Sequence, residues 1–405
     1  MIVNYEMYEN HEENEIMNEK ILKKGLTVVM PCLNEEITLE TCIRKAQGFM
    51  ERYGIDGEVI VADNGSTDRS IEIAKSCGAR VVNISQKGYG SALRGGIEAA
   101  DYEYIVMGDA DDSYDFSALD DFIKKLDEGY ELVMGNRFKG GIKKGAMSFS
   151  HQYIGNPFLS GLGRLLFKTD IGDFHCGLRA FRKDSILKLG LCTTGMEFAS
   201  EMVVKAVLFG LKISEIPIIL YPDGRNRPPH LRSIPDGLRH LEFLLIYSPK
   251  WLFMIPGMIL SVLGLILTVI IGIHPLHVGA VEFDVTTMFY SAMVMFIGVM
   301  MLQFSTFTTI FAERIGQFPP NSKSVHKIVD IVNKRGYGIS VITMIIGLAG
   351  VILTIVRWSN VGFGHLLTTD TCRMAILFGS ILVIGTQMLL FTLFIRVLQM
   401  GVSTK

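Results

Sequence analysis

The sequence predicts an α/β domain with a mainly parallel sheet, followed by an α-helical membrane domain of four spans. Three observations carry this. From Gly25 to about Tyr221 strand-like apolar runs alternate with helical periodicities, from Trp251 onward four long stretches hold almost no ionisable side chains, and the charges lie mostly ahead of Trp251. Alternating strand and helix implies parallel strands with helices on both faces. About 20 apolar residues cross ~30 Å of hydrocarbon. With 49% apolar residues over 405, a purely cytosolic enzyme is disfavoured. The balance of 39 basic against 41 acidic side chains leaves no clustered basic excess, so no nucleic-acid partner is expected.

Residues 1–24 are polar and acidic and read as a loosely held leader, not a signal peptide. Leu26–Pro31 is a short apolar strand. In Thr38–Tyr53, Leu39, Ile43, Ala46, Met50 and Tyr53 recur at helical spacing. Glu58–Asp63 reads as a strand, Ser66–Cys77 as a helix capped by Ser66 or Thr67, and Arg80–Ile84 as a strand. Ser91–Ala100 then predicts a helix, Tyr104–Gly108 a strand and Phe116–Glu128 a helix. The six cysteines form no Cys-x-x-Cys pair, which favours free thiols in a reducing compartment.

The domain at 25–221 is followed by a basic segment at 222–250. Arg225, Arg227, Arg232, Arg239 and Lys250 stand there against Asp236 and Glu242. Gly237–Tyr247 places Leu238, Leu241, Leu244 and Leu245 on one helical face and Arg239 and His240 on the other, as a helix lying in a membrane interface would. In the membrane domain at 251–405 the expected spans are Leu252–Ile273, Thr286–Phe311, Gly338–Val356 and Met374–Met400. The connection Glu313–Arg335 carries Arg314, Lys323, Lys327, Lys334 and Arg335, whereas His274–Val285 carries no Lys or Arg. Positive charge stays on the cytoplasmic side, so the large domain and both termini are expected there. Arg357 and Arg373 on the third connection run against this pattern.

Ligands of such α/β sheets gather beyond the carboxyl ends of the strands. Three ends are polar: Pro31, Asn34, Glu35 and Glu36 after the first strand; Asp63-Asn64-Gly65-Ser66-Thr67-Asp68 after the second; Asp109-Ala110-Asp111-Asp112 after the strand ending at Gly108. Two carboxylates at i and i+2 suit Mg²⁺ or Mn²⁺ holding a diphosphate, because such a cation fills its shell with phosphate oxygens and water. The bland alternative is an acidic turn capping the next helix. Its place after a buried strand, with two other acidic strand ends beside it, favours the metal. Gly88-x-Gly90 begins like a dinucleotide fingerprint, but Leu93 stands where its last glycine belongs, which disfavours NAD.

Val-Val-Met-Pro-Cys-Leu-Asn-Glu-Glu from Val28, Val-Ile-Val-Ala-Asp-Asn-Gly-Ser-Thr-Asp from Val59, Lys-Gly-Tyr-Gly-Ser-Ala-Leu-Arg from Lys87 and Gly-Asp-Ala-Asp-Asp from Gly108 resemble the nucleotide-sugar half of family 2 glycosyltransferases, whose fold is the Rossmann-like GT-A. Asp173-Phe174-His175-Cys176-Gly177-Leu178-Arg179 and Met196-Glu197-Phe198 resemble the acceptor side of its dolichyl- and undecaprenyl-phosphate sugar transferases. The resemblance implies Pro31, Asn34, Glu36, Asp63 and Lys87 around the nucleotide, and Asp109 and Asp111 on Mg²⁺ or Mn²⁺. A Gln expected two residues after the second Asp is Ser113 here. Arg137 and Arg179 match basic positions near the diphosphate and the acceptor phosphate. Asp173 is expected nearest the nucleophile, with Glu197 second. His175 is a further candidate or a hydrogen-bonded structural histidine. Arg225, Arg227 and Arg232 are placed to meet a lipid-borne phosphate, since arginine binds such oxygens bidentately.

The implied reaction is inverting transfer of a sugar, with a UDP-sugar favoured, from its nucleotide to a polyprenyl phosphate supplied by membrane lipid; the four spans leave room for a homo-oligomer. A processive polysaccharide synthase is the rival, but the only Arg-Trp, Arg357-Trp358, lacks the preceding Gln of the Gln-x-x-Arg-Trp motif that such synthases carry. A non-catalytic scaffold or transporter is the other; the intact acidic strand ends and the few intramembrane charges oppose it.

Overall fold

The structure is a computed structural model that describes residues 23–225, 233–320, 323–360, 362–363 and 368–400. The leader, apart from its last two residues, and the candidates Arg227 and Arg232 lie outside them. The chain divides into two compact units, Met1–Phe243 and Leu244–Lys405.

The first unit is built on seven strands: β1 (Lys23–Cys32), β2 (Gly57–Asp63), β3 (Arg80–Asn83), β4 (Tyr102–Met107), β5 (Leu132–Asn136), β6 (Arg179–Arg182) and β7 (Ile213–Pro217). Their order is β3-β2-β1-β4-β6-β5-β7. All neighbours are parallel except that β6 runs antiparallel to β4 and β5. Leu26, Val28, Val29 and Met30 of β1 are wholly buried, as are Ile105, Val106 and Met107 of β4. Continuous apolar strands of this kind form where helices cover both faces of a sheet. Between β1 and β4 the strand order reverses direction, which opens a crevice beyond their carboxyl ends.

The helices of this unit are α1 (Leu39–Tyr53), α2 (Ser70–Ser76), α3 (Tyr89–Ala99), α4 (Asp120–Asp127), α5 (Arg137–Gly140), α6 (Asn156–Phe167, preceded by a π-helical turn at His151–Gly155), α7 (Lys183–Leu187), α8 (Phe198–Leu208) and α9 (Ser233–Ile246). In α1, Leu39, Cys42, Ile43, Ala46, Phe49 and Met50 form the buried stripe, and Gly54 ends the helix with φ 65°. Each large side chain in that stripe contributes about 1.5–3 kcal/mol by leaving water.

Two helices begin later than expected. Helix α2 begins at Ser70 and not at Ser66, because Ser66 and Thr67 support the end of β1: the Asn34 amide donates to Ser66 Oγ (3.0 Å) and the Thr67 amide to Asn34 Oδ1 (2.7 Å). Helix α4 begins at Asp120, well after Phe116, which is buried in the core. In α9 the inward face carries Asp236, His240 and Phe243, while Leu238 is exposed. His240 faces inward because Ser200 on α8 offers it a hydrogen bond at 2.8 Å.

The second unit holds α10 (Ile255–Ile273), a short hairpin of β8 (Leu276–Val278) and β9 (Val281–Phe283), then α11 (Val285–Arg314), α12 (Lys323–Ser359) and α13 (Thr368–Gln399). Among the described residues four helices are long and apolar enough to cross a membrane. They pair as α10 with α11 and α12 with α13, through glycines such as Gly264, Gly298, Gly347 and Gly385, where an added Cβ would strike the backbone of the facing helix. Without a hydrophobic drive between helices in lipid, close backbone approach supplies the packing. The expected span Gly338–Val356 is only part of α12, whose 37 residues extend about 55 Å and exceed the hydrocarbon thickness. The segment expected as a polar connection is therefore largely its first turns. Arg373, which ran against the charge pattern, is paired with Asp284 at 2.6 Å.

Candidate active site

Beyond the carboxyl ends of β1 and β4 lies a cavity of about 910 Å³. Of the residues expected to act, Pro31, Lys87, Asp109, Asp111, Arg137 and Arg225 line it.

The turn after β4 aims the two carboxylates. Asp112 adopts φ 63°, a left-handed conformation that Asp tolerates better than most residues, and its carboxylate is anchored by Lys45 at 2.7 Å. That reversal turns Asp109 and Asp111 to the cavity. Thr38 at the start of α1 donates to the Ala110 carbonyl at 2.6 Å and so ties the two strand ends together. Asp111 is buried; its Oδ1 accepts the Ser113 amide (3.1 Å) and hydroxyl (2.6 Å), so Ser113 orients this carboxylate. Its Oδ2 takes Arg225 Nη2 at 2.7 Å. Asp109 lies beside Tyr89, and burial together with the Asp111 charge pushes its pKa up to about 6. Gly177 faces Asp109 so closely that a Cβ there would lie 2.8 Å from Oδ2.

Those two carboxylates, with a glycine clearing the space beside one of them, fit a hard divalent cation. Among the described residues no three His, Cys, Asp or Glu side chains converge as a metal site. Two protein carboxylates, with diphosphate and water completing the shell, are what Mg²⁺ or Mn²⁺ accepts.

The sequence pointed to Glu36, but Glu35 lines the cavity and lies 3.4 Å from Arg225 Nη1. Asn34, with φ 61°, turns the chain between strand and helix and sends the two glutamates different ways. Glu36 instead accepts the Arg69 amide at 3.1 Å, at the start of α2. Asp63 is likewise spent on backbone: its carboxylate accepts the amides of Gly65 (2.9 Å) and Ser66 (3.1 Å) and shapes the turn that carries Asn64 to the cavity. Lys87 Nζ donates to the Asn64 carbonyl at 2.6 Å. Asp223, at 3.3 Å from Arg225, completes an acidic ring around that guanidinium. Glu35, Ser113 and Asp223 were not among the expected site residues, although each lies within two positions of one that was.

The acceptor-side candidates are held by the protein's own groups. Asp173 is wholly buried and grips Arg137 through two bonds of 2.7 Å, Nε to Oδ2 and Nη2 to Oδ1, while Oδ2 also accepts the Arg137 amide. It does not reach the cavity. Arg179 is also wholly buried and donates to the carbonyls of Cys176 (2.8 Å), Ala199 (2.7 Å) and Phe174 (2.9 Å), and so clamps the loop after Asp173. Glu197 accepts the Gly195 amide at 3.2 Å and stands outside the cavity wall.

His175 and His240 form a second wall. Their rings meet edge to face at 4.7 Å, and Ser200 Oγ lies 2.8 Å from His240 Nδ1 and 3.4 Å from His175 Nε2. Burial lowers the pKa of both, that of His175 strongly and with help from His240, so both are neutral at pH 7.

Residues 27–190 match the family model described as Glycosyl transferase family 2, and residues 306–399 match the Glycosyltransferase family 2 C-terminal transmembrane region. The low-salt glycan biosynthesis hexosyltransferase Agl6 of Haloferax volcanii is 41% identical over 233 residues, 57% of this chain and 56% of that protein. The glycosyltransferase AglJ of the same organism is 31% identical over 53% of this chain and 68% of its own. Its dolichyl-phosphate hexose transferase is 30% identical over 48% of this chain and 81% of its own. The chain thus matches about half the length of the first of these relatives and most of the third.

Proposed function

This chain belongs to glycosyltransferase family 2, and on that premise we propose that it transfers a hexose, with inversion, from a nucleotide sugar to the phosphate of a membrane polyprenyl phosphate. The observation that carries the reading is the Asp109–Asp111 pair at the switch point of the sheet, facing one cavity with Lys87, Glu35 and Arg225. The resemblance of a relative named for dolichyl phosphate supports the acceptor class.

Asp109 and Asp111 would hold Mg²⁺ or Mn²⁺. Such a cation, when bound, stabilises charge on a departing nucleoside diphosphate. Ser113 fixes the Asp111 carboxylate, so that group needs little reorganisation when a ligand arrives. Arg225 pairs with Asp111, Glu35 and Asp223, and its fork is matched to the oxygens of a diphosphate. A phosphate monoester, with its second pKa near ~6, is largely ionised at neutral pH and attacks without a strong protein base. This agrees with the burial of Asp173, the residue expected to supply one. We place the first unit on the cytoplasmic side, because the positive charges of Arg314–Arg335 contrast with a hairpin loop that has none.

The test is to incubate the purified full chain with radiolabelled UDP-glucose, UDP-N-acetylglucosamine or GDP-mannose and a polyprenyl phosphate, with and without EDTA. A labelled, mild-acid-labile lipid is expected from one donor, abolished by EDTA and by Asp111→Ala. Labelled polymer, or release of free sugar alone, would contradict the reading.

A further inference from the structure

Strand β6 runs antiparallel to β4, with Arg179 opposite Met107, so the loop that enters β6 lies beside the carboxyl end of β4. On the other side of β4 stand β1 and β2. Asp109 and Asp111 therefore emerge between two flanks, and a diphosphate held there can carry its two substituents one to each. The flanks differ in charge. Lys87, Arg137 and Arg225 line the cavity, but among the described residues the lining contributed by the loop before β6, the turn into α8, α8 itself and α9 includes no Lys or Arg. That wall offers His175, Met196, Ala199, Asp236 and His240 instead.

Asp236 and His240 are both buried, at 7% and 6% exposure, and stand four residues apart on the inward face of α9, one helical turn from each other. Asp236 pairs with Arg239 at 3.5 Å, and a carboxylate accepts several hydrogen bonds at once. Ser200 Oγ lies 2.8 Å from His240 Nδ1 and 3.4 Å from His175 Nε2. A hydroxyl has one proton, and the shorter contact takes it. With that assignment His240 is the Nε2–H tautomer: its Nδ1 accepts from Ser200, and its Nε2 carries a donor for a ligand. Burial lowers the pKa of this ring, so it is neutral at pH 7.

We propose that Asp236 and His240 form a hexose subsite that reads hydroxyls of the transferred sugar, with Ser200 holding the imidazole for that task. A neutral N–H beside a carboxylate suits a polyol, whose hydroxyls both accept and donate. A largely ionised phosphate is repelled by that carboxylate, so this wall disfavours the acceptor phosphate. Met196 and Ala199 supply apolar surface on which the C–H face of a sugar ring can lie. A site built to hydrogen-bond a substrate hydroxyl rejects the analogue that lacks it, which makes these two residues determinants of which hexose is used. The inference rests on the transfer reading above, and its test is a binding measurement that separates the two.

That test measures binding to the purified full chain with Mg²⁺ present, for UDP-glucose, UDP-N-acetylglucosamine and GDP-mannose, each beside its own UDP or GDP. For the donor that the parent binds, His240→Phe is expected to weaken the nucleotide sugar about tenfold, and Asp236→Asn less, with the nucleoside diphosphate unaffected. Monodeoxy analogues of that donor locate the contact. The analogue lacking the hydroxyl read by His240 should bind about tenfold more weakly than the donor in the parent but equally well in His240→Phe, since both changes remove the same bond. Asp236→Asn pairs in the same way with its own hydroxyl, so the outcome does not hang on one variant. Equal weakening of nucleotide sugar and nucleoside diphosphate would overturn the proposal, as would monodeoxy losses that are the same in parent and variants. A parent that transfers hexose, with donor affinity unchanged in His240→Phe, would remove the subsite alone; a parent that binds none of the three donors would remove the transfer reading and the subsite together.

Discussion

Two groups of charged side chains stand close together at the strand ends of one sheet, and they are used in opposite ways. Asp109, Asp111 and Arg225 face a cavity, and a ligand there can exchange with their present partners. Asp173 and Arg179 lie within four residues of Gly177, which adjoins Asp109, yet both are sealed, Asp173 on Arg137 and Arg179 on backbone carbonyls. Residue type does not separate the groups. Burial and saturation of hydrogen bonds do.

The widest expected contrast comes from Arg179. Replacing it by Met leaves three carbonyls without donors, each costing ~1–3 kcal/mol, so the variant is expected to lose about 3 kcal/mol or more. Its thermal melt, or its failure to purify folded, checks this. A stable but inactive Arg179→Met would put Arg179 back among the ligand-binding groups.

A smaller effect, on function alone, is expected at the point where the two groups touch. Gly177→Ala crowds Asp109 Oδ2 and the Tyr114 ring, and transfer should fall about tenfold, equivalent to ~1.4 kcal/mol, with the melting temperature little changed. Unaltered kcat/KM would mean that the space beside Asp109 is not used.

The two histidines give a graded pH effect. Their pKa values are lowered in the folded chain, so below the ordinary value of ~6.5 the unfolded chain binds protons that the folded chain refuses. Stability supplied by keeping them neutral is present above about pH 6.5 and is lost as pH falls toward their folded values. Melting temperature should therefore decline from about pH 7 to about pH 5, and less steeply in His240→Gln, which retains a partner for Ser200. Equal slopes would remove His240 from this account.

The smallest effect is expected for Glu36→Ala, a loss of about 0.5–1 kcal/mol through one missing bond at the helix start, with no change in KM for the sugar nucleotide. A tenfold rise in that KM would restore Glu36 to the nucleotide site.

What the sequence disclosed follows from how local each feature is. The parallel strands and the membrane helices were legible because their signals are runs of apolar residues within single elements. The Asp109–Asp111 pair was legible because the strand that aims it ends beside it. Glu35 was not distinguished from Glu36, since the choice rests on one left-handed residue, Asn34. The grip of Asp173 on Arg137 spans two distant segments, and a motif containing either arginine or carboxylate looks the same whether it faces a ligand or the core. The burial of His240 was not legible because its partner, Ser200, belongs to another helix.

The central claim is that the strand-end carboxylates act on ligand while the sealed charges hold the fold. The most direct measurement compares Asp111→Asn with Asp173→Asn in the full chain, recording sugar transfer and melting temperature on the same preparations. The account predicts that Asp111→Asn melts near the parent and loses about 10²–10³-fold in transfer, whereas Asp173→Asn, leaving Arg137 buried without its counter-charge, melts lower by at least about 6 °C. An Asp173→Asn chain as stable as the parent but inactive, or an Asp111→Asn chain that still transfers at the parent rate, would contradict it.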